Sequence, residues 1–152
     1  MANNTKTFIL LKPDSIERKI VSSIIDRFVE RGFIIDRMDC VYAKSGQIEK
    51  MYAENISING KCYATNIKKY LENKIVIPIQ FSYIGKEDAI EVARKLIGYF
   101  DPINAEKGSI RFDYGADSLN KAMNENRCCY NLIHAASNYD EYILDMGIWF
   151  NC

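Results

Sequence analysis

The chain has no net charge: its 20 basic residues balance 20 acidic ones over 152 positions. No global field therefore draws it to nucleic acid or to a membrane, and any anion site must be assembled locally from a few placed cations. It has no spaced C-x-x-C pair, and its five cysteines, Cys40, Cys62, Cys128, Cys129 and Cys152, are odd in number. That usage argues against zinc and for free thiols in a reducing, cytoplasmic setting. No apolar run approaches the length that crosses a membrane, and Met1-Ala2-Asn3-Asn4 opens no apolar leader. Histidine is nearly missing too. His134 is the only one, so chemistry that needs an imidazole must use it.

What is present is an apolar-rich chain of one domain's size. With 48% hydrophobic residues it can build a full core, and residues 1–152 read as a single domain. His134 lies in Asn131-Leu132-Ile133-His134-Ala135-Ala136-Ser137, with an apolar pair before it and small residues after it. The ring would emerge at a strand's end with little beside it. Imidazole is nucleophilic and half-titrated near neutral pH. A lone histidine is more often a partly buried side chain bonded to one carbonyl, so its neighbours in the fold decide its meaning.

In chain order, residues 7–11 are an apolar run stopped by Lys12-Pro13-Asp14, a buried strand that Pro13 cannot extend. Asp14 or Ser15 then caps one helix, in which Ile16, Ile20, Val21, Ile24, Ile25 and Phe28 recur at helical spacing until Gly32 closes it. Lys12 sits at the strand's carboxyl end, where open sheets place ligands; alone it reads as an ordinary solvated lysine. Residues 33–43 alternate at Met38, Cys40 and Tyr42, the pattern of a half-buried strand. Ser45 caps a helix bearing Ile48, Met51 and Tyr52, residues 55–60 are polar and turn-like, and a short helix over residues 62–72 aligns Tyr63, Ile67, Tyr70 and Leu71.

Residues 74–83 form a third strand, where Pro78 predicts a bulge or a missing bond. Residues 87–97 form a second amphipathic helix, which contains Arg94 and ends at Gly98. A loop broken by Pro102 leads to Ser109-Ile110-Arg111. Residues 115–127 are polar, with a weak helical patch around Leu119 and Met123. Residues 128–133 are the fourth strand, and a last helix spans residues 137–149. The order predicts an α+β fold with a four-stranded antiparallel sheet and helices packed on it.

Ordered blocks run the length of the chain: Thr7-Phe8-Ile9-Leu10-Leu11-Lys12-Pro13-Asp14, then Arg94 and Gly98 with Gly108-Ser109-Ile110-Arg111, then Asn131-Leu132-Ile133-His134, then Ile148-Trp149-Phe150. Together they resemble the nucleoside diphosphate kinase family from Thr7 to Phe150. The resemblance implies a ferredoxin-like fold, a homo-oligomer, and ping-pong transfer of a γ-phosphate from a nucleoside triphosphate to a nucleoside diphosphate through a phosphohistidine. It implies that His134 is the nucleophile, that Asp145 orients its ring, that Tyr52 lends a hydroxyl, and that Lys12 neutralises charge and touches the ribose. Arg94 and Arg111 would hold the phosphates with Mg²⁺, which has no protein ligands of its own. Asn131 would bind the sugar, and Tyr63, Ile67 and Cys128 the base.

The sequence departs from that pattern. The family's histidine is usually followed by Gly-Ser-Asp-Ser, and here Ala135-Ala136-Ser137-Asn138 follows. Ala136 removes a supporting hydroxyl, Asp145 replaces a glutamate with a shorter carboxylate, and Phe100 replaces a phosphate-binding threonine. Residues 115–127 are an insertion, and the usual C-terminal tail is missing. These departures predict a slow kinase, with Asp145→Glu neutral or beneficial and Ala136→Ser beneficial. A second reading is a catalytically weakened member that binds nucleotide or supports assembly. A register that puts Asn124 in the histidine's place is rejected, because Asn124 is too far from Trp149 and lacks the Asn-x-x frame. RNA binding is disfavoured by the neutral charge and the missing aromatic strand signature.

Overall fold

The computed structural model describes residues 3–151. Cys152 and the first two residues of the amino-terminal stretch, both read above, lie outside them. The sheet follows the path β2 (Phe33–Met38), β4 (Ile75–Tyr83), β1 (Lys6–Leu11), β5 (Ile133–Ala135), antiparallel throughout. A fifth, two-residue strand, β3 (Val41–Tyr42), also pairs with β4. The expected chain order of strands is present, but the second strand is split into β2 and β3, and the fourth begins only at Ile133.

β1 organises both layers. Its alternation sends Phe8 and Leu10 to one face, against Ile48, Tyr52, Ile67, Tyr70, Met146 and Trp149. Ile9 and Leu11 go to the other, against Ile24, Phe28, Phe81, Ala93 and Ile97. Such period-two burial on both sides marks a central strand. The helices are α1 (Pro13–Glu17), α2 (Val21–Arg31), α3 (Ser45–Met51), α4 (Ala53–Leu71), α5 (Ala89–Ile97), α6 (Ile110–Tyr114), α7 (Leu119–Asn124) and α8 (Tyr139–Phe150). α2 and α5 cover the second face, while α3, α4 and α8 cover the first.

Several sequence expectations are corrected. The single helix after β1 is two helices: Lys19 turns left-handed at φ +58°, and Ile20 bonds back to the Ser15 carbonyl at 3.1 Å. The apolar spacing continues across this break, so it hides there. Asp14 caps nothing; α1 starts at Lys12, with Pro13 as its first residue. α2 does end at Gly32, with φ +103°. Residues 33–43 are two strands, with Met38, Cys40 and Tyr42 exposed, so the inward side is the opposite one, at Phe33 and Ala43. α3 begins at Lys44, whose N–H donates to the Gln47 side chain, and Ser45 is its first helical residue.

Residues 55–60 are helical, and only Gly60 leaves the helix, with φ +78° and ψ −167°. They are polar because they line a cleft rather than a core. Pro78 is accommodated without a bulge in β4; the register shift falls in β2 instead, between Ile35 and Arg37. The Pro78 carbonyl accepts from Asp39 N–H just beyond the end of β2, so the missing donor faces a place where the ladder stops. Residues 128–132 are not a strand. Side chains hold their backbone instead: Asp117 takes the Tyr130 N–H, Asp14 the Leu132 N–H, and Arg111 the Asn131 carbonyl. His134 therefore lies in the middle of β5, paired with Leu10.

Candidate active site

Position within β1 and β5 decides which side chains meet. Lys12 follows Phe8 and Leu10 at period two, and His134 stands opposite Leu10, so both face the α3–α4–α8 layer. There a cavity of about 1030 Å³ opens between α4, the Gly98–Phe100 corner, α7 and α8. Lys12, Tyr52, Tyr63, Ile67, Arg94, Arg111, Cys128, Asn131, His134 and Asp145 all line it. The structure thus brings every nominated residue to one cleft. Asn124 is not among the residues that line it, although Met123 and Asn126 are.

The histidine is oriented. Asp145, on α8 and 2% exposed, lies 2.9 Å from Nε2 of His134. With Nε2 held as the donor to a carboxylate, the lone pair of the neutral ring is left on Nδ1. The expected slack from the shorter side chain is absent, because α8 lies close enough for direct contact. The Tyr52 ring packs edge-on to the imidazole at 5.6 Å. Its hydroxyl is buried without a hydrogen-bond partner, and burial pushes that phenol well above its ordinary pKa. An unpartnered buried hydroxyl costs free energy, which a ligand can recover.

The cations differ in kind. Lys12 is 5% exposed and donates to Asn131 Oδ1 at 2.7 Å. Burial, with Arg111 nearby, lowers its pKa to about 8. Arg111 donates to the carbonyls of Asn131, Gly98 and Ile133. It therefore ties the end of α5 to β5, and burial lowers its pKa to about 10. A guanidinium has five N–H groups, so donors remain for a ligand, but Arg111 also belongs to the fold. Arg94 is exposed on α5 and has no such anchors among the described residues. Arg94 is thus uncommitted to the fold, whereas Arg111 is partly spent on it. Asn131 spends its amide locally: Oδ1 accepts from Lys12, and Nδ2 donates to the Phe100 carbonyl at 2.9 Å.

At the other end, Tyr63, Ile67 and Cys128 form an apolar slot. Ile67 is buried, and burial raises the Tyr63 phenol and the Cys128 thiol. Residues 115–127 line this end as well. Arg127 grips Asp117 with two bonds, at 2.6 and 3.0 Å, and α7 brings Leu119 and Met123 to the cleft.

A sequence profile described as "Nucleoside diphosphate kinase" matches residues 5–152. The chain belongs to the nucleoside diphosphate kinase family. It is 34% identical over 145 residues to a nucleoside diphosphate kinase of Sulfolobus acidocaldarius, covering 95% of this chain and 89% of that one. It is also 34% identical to that of Thermococcus kodakarensis, over 95% of this chain and 76% of the relative. Among solved structures it is similar to the Borrelia burgdorferi nucleoside diphosphate kinase, a transition state mimic with bound vanadate and ADP. That similarity has a TM-score of 0.87 at 27% identity, over 95% of this chain and 86% of that one. The apo enzyme of Encephalitozoon cuniculi matches with a TM-score of 0.81 at 30% identity, over 97% and 90%. The fold is therefore the family's ferredoxin-like α+β fold.

Within this member of the nucleoside diphosphate kinase family, sequence reasoning missed three contributors. Tyr70 was read as core from its spacing; it is buried, and its hydroxyl also donates to Asp14. Asp14 was read as a helix cap. The polar half of α4 was read as a turn, yet Glu54, Asn55 and Asn59 line the cleft. For Tyr70 and Asp14 no local pattern signals the contact, because the two residues are 56 apart. For α4, the lack of Pro and the single Gly60 between residues 53 and 71 were the available signal.

Proposed function

We propose that this chain is a nucleoside diphosphate kinase in which Nδ1 of His134 is the atom that carries the phosphoryl group. The observation that supports it most is the imidazole held by Asp145 at 2.9 Å in a cleft that also holds Lys12, Arg94 and Arg111. Nδ1 attacks the γ-phosphorus of a nucleoside triphosphate. The bond from that phosphorus to the β,γ-bridging oxygen breaks, and the nucleoside diphosphate leaves. A β-phosphate oxygen of a second diphosphate then attacks the phosphohistidine, and the P–N bond breaks with its electron pair returning to Nδ1. Asp145 stabilises the ring as it gains positive charge. Lys12, Arg94 and Arg111 oppose the charge on the transferring group and the leaving oxygen. The free hydroxyl of Tyr52 is a donor for the phosphohistidine or its nucleotide partner.

The base fits the slot of Tyr63, Ile67 and Cys128, whose apolar character discriminates weakly between bases. Lys12 sits where it reaches the sugar and phosphates together, and Asn131 holds Lys12. Magnesium would arrive with the nucleotide: the cleft supplies cations for the phosphates, and among the described residues no three His, Cys, Asp or Glu side chains are grouped to hold a metal, so phosphate and water would supply its oxygen ligands. The homo-oligomer implied by the family has a physical counterpart in β2, a sheet edge with Ile34 and Met38 each more than half exposed. Natural proteins seldom leave such an edge uncovered. No described helix is long and apolar enough to cross a membrane, and the free thiols of Cys40, Cys62, Cys128 and Cys129 suit a reducing cytoplasm.

The test is incubation with γ-labelled ATP and magnesium. An acid-labile, base-stable label should form on the protein and be discharged by any of several nucleoside diphosphates. A chain that binds nucleotide but takes no label would support the weakened, binding-only member instead.

A further inference from the structure

The corner just before His134 is strained and is held by the backbone of Lys12 and the side chain of Asp14. Leu132 is fully buried, with φ +72°, a conformation that costs a non-glycine residue on the order of 1–3 kcal/mol. Ile133 N–H donates to the Asn131 carbonyl at 2.8 Å, closing a three-residue turn of the rare, positive-φ kind. Such a turn persists only where its surroundings over-determine it. Here the Leu132 carbonyl accepts from Lys12 N–H at 2.8 Å, and the Leu132 N–H donates to Asp14 Oδ2 at 3.1 Å. The other oxygen of Asp14 accepts the Tyr70 hydroxyl, which anchors the carboxylate to α4. Both backbone groups of the strained residue are thus taken by Lys12-Pro13-Asp14.

We propose that Asp14 is a positioning residue for phosphoryl transfer, clamping the Leu132 turn so that Asn131, Lys12 and His134 keep their working geometry. The inference rests on the kinase reading above. Asp14 also balances charge. The groups facing the Lys12 ammonium are Arg111 of α6, Asp14 of α1, the thiols of Cys128 and Cys129, Asn131 Oδ1, and the rings of Tyr52 and Tyr70 at 5.8 and 5.4 Å. Of these, only Asp14 is a carboxylate. Burial and Arg111 draw the Lys12 pKa down to about 8, and Asp14 opposes them. Removing its charge lets the ammonium lose its proton at lower pH.

Two variants separate the roles. Asp14→Ala removes the clamp and the charge, whereas Asp14→Asn removes the charge but keeps an acceptor for the Leu132 N–H, with its amide N–H left to donate to the Tyr70 hydroxyl. Both are compared with wild type for kcat, KM and the pH dependence of kcat/KM, with melting temperature as the control for folding. Asp14→Ala should lose on the order of a hundredfold in kcat, with KM for the diphosphate little changed, as for a group moved slightly off its productive geometry. Asp14→Asn should recover most of that rate at pH 7, while the alkaline limb of its kcat/KM profile moves to lower pH. Wild-type kcat in Asp14→Ala overturns the proposal, as does an unshifted limb in Asp14→Asn. If Asp14→Ala does not fold, the limb in Asp14→Asn decides alone. Absence of turnover in the wild type would sink the kinase reading and this inference with it; normal wild-type turnover beside unaltered variants sinks this inference only.

Discussion

The two faces of the sheet are packed on different terms. Behind the sheet, Phe28, Phe33 and Phe81 interlock, Phe28 stacked on Phe81 at 4.8 Å and edge-on to Phe33 at 5.3 Å. Ile9, Leu11, Ile24 and Ile79 fill the remaining space, all fully buried. In front, the core is interrupted by Lys12, Asp145, an unsatisfied Tyr52 hydroxyl and the large cleft. Close apolar packing is where a domain gains most of its stability, and buried polar groups without full satisfaction reduce it. The back face therefore bears the stability that lets the front face keep a strained turn and a buried ammonium.

The largest expected contrast comes from one substitution on each face. His134→Ala should abolish the labelled phosphoenzyme while leaving the melting temperature close to wild type. Phe81→Ala should cost about 3–5 kcal/mol of unfolding free energy while the protein that remains folded keeps its turnover. A label that survives in His134→Ala, or an unaltered melt in Phe81→Ala, would erase the distinction. Next come the residues around the imidazole. Because Asp145 already touches Nε2 and is almost fully buried, Asp145→Glu adds a methylene where there is no room. It should lower kcat by on the order of a hundredfold, reversing the gain expected from family likeness. A turnover equal to or above wild type would show that α8 can yield.

A smaller contrast separates the arginines within the front face. Arg94→Ala should weaken nucleotide binding at least tenfold, roughly the 1.5–3 kcal/mol of a charge-assisted contact, without changing the melt. Arg111→Ala should weaken binding and also destabilise by on the order of 3 kcal/mol, since it strips donors from three carbonyls. Calorimetric titration beside thermal melts tells them apart, and equal stability losses would put both in the same class. The smallest effects concern two orphan hydroxyls. Thr7 Oγ1 on the back face and Tyr52 on the front are both buried and unpartnered. Thr7→Val and Tyr52→Phe should each stabilise by about 1 kcal/mol. Only Tyr52→Phe should lower turnover; a slower Thr7→Val would mean that the back face also serves the chemistry.

The legibility of the sequence follows how local each cause is. The stop after β1 at Pro13, the amphipathic rows of α2 and α5, and the Gly32 and Gly98 ends could be read directly, because each rests on a ring constraint or a period within a few residues. The residues of the cleft were named by likeness to a family, and they do meet in one place. The roles of Asp14 and Tyr70 were hidden because contacts at separations of 56 and 118 residues have no period. The polar start of α4 was misread because polarity signals solvent without saying whether that solvent fills a loop or a cleft.

By itself, then, the sequence determined the alternation that splits β1 between two cores, the single imidazole available for covalent work, and the lack of any net field to recruit a charged polymer. Those are properties of residue type and short spacing. Only the tertiary structure decided that residues 128–132 leave the ladder, that Leu132 turns left-handed, that Arg111 is spent partly on carbonyls, and that Asp145 reaches the ring despite its shorter side chain. Each of these depends on where a backbone group from one element finds a side chain from another, and that meeting exists only once the sheet and its two layers have closed.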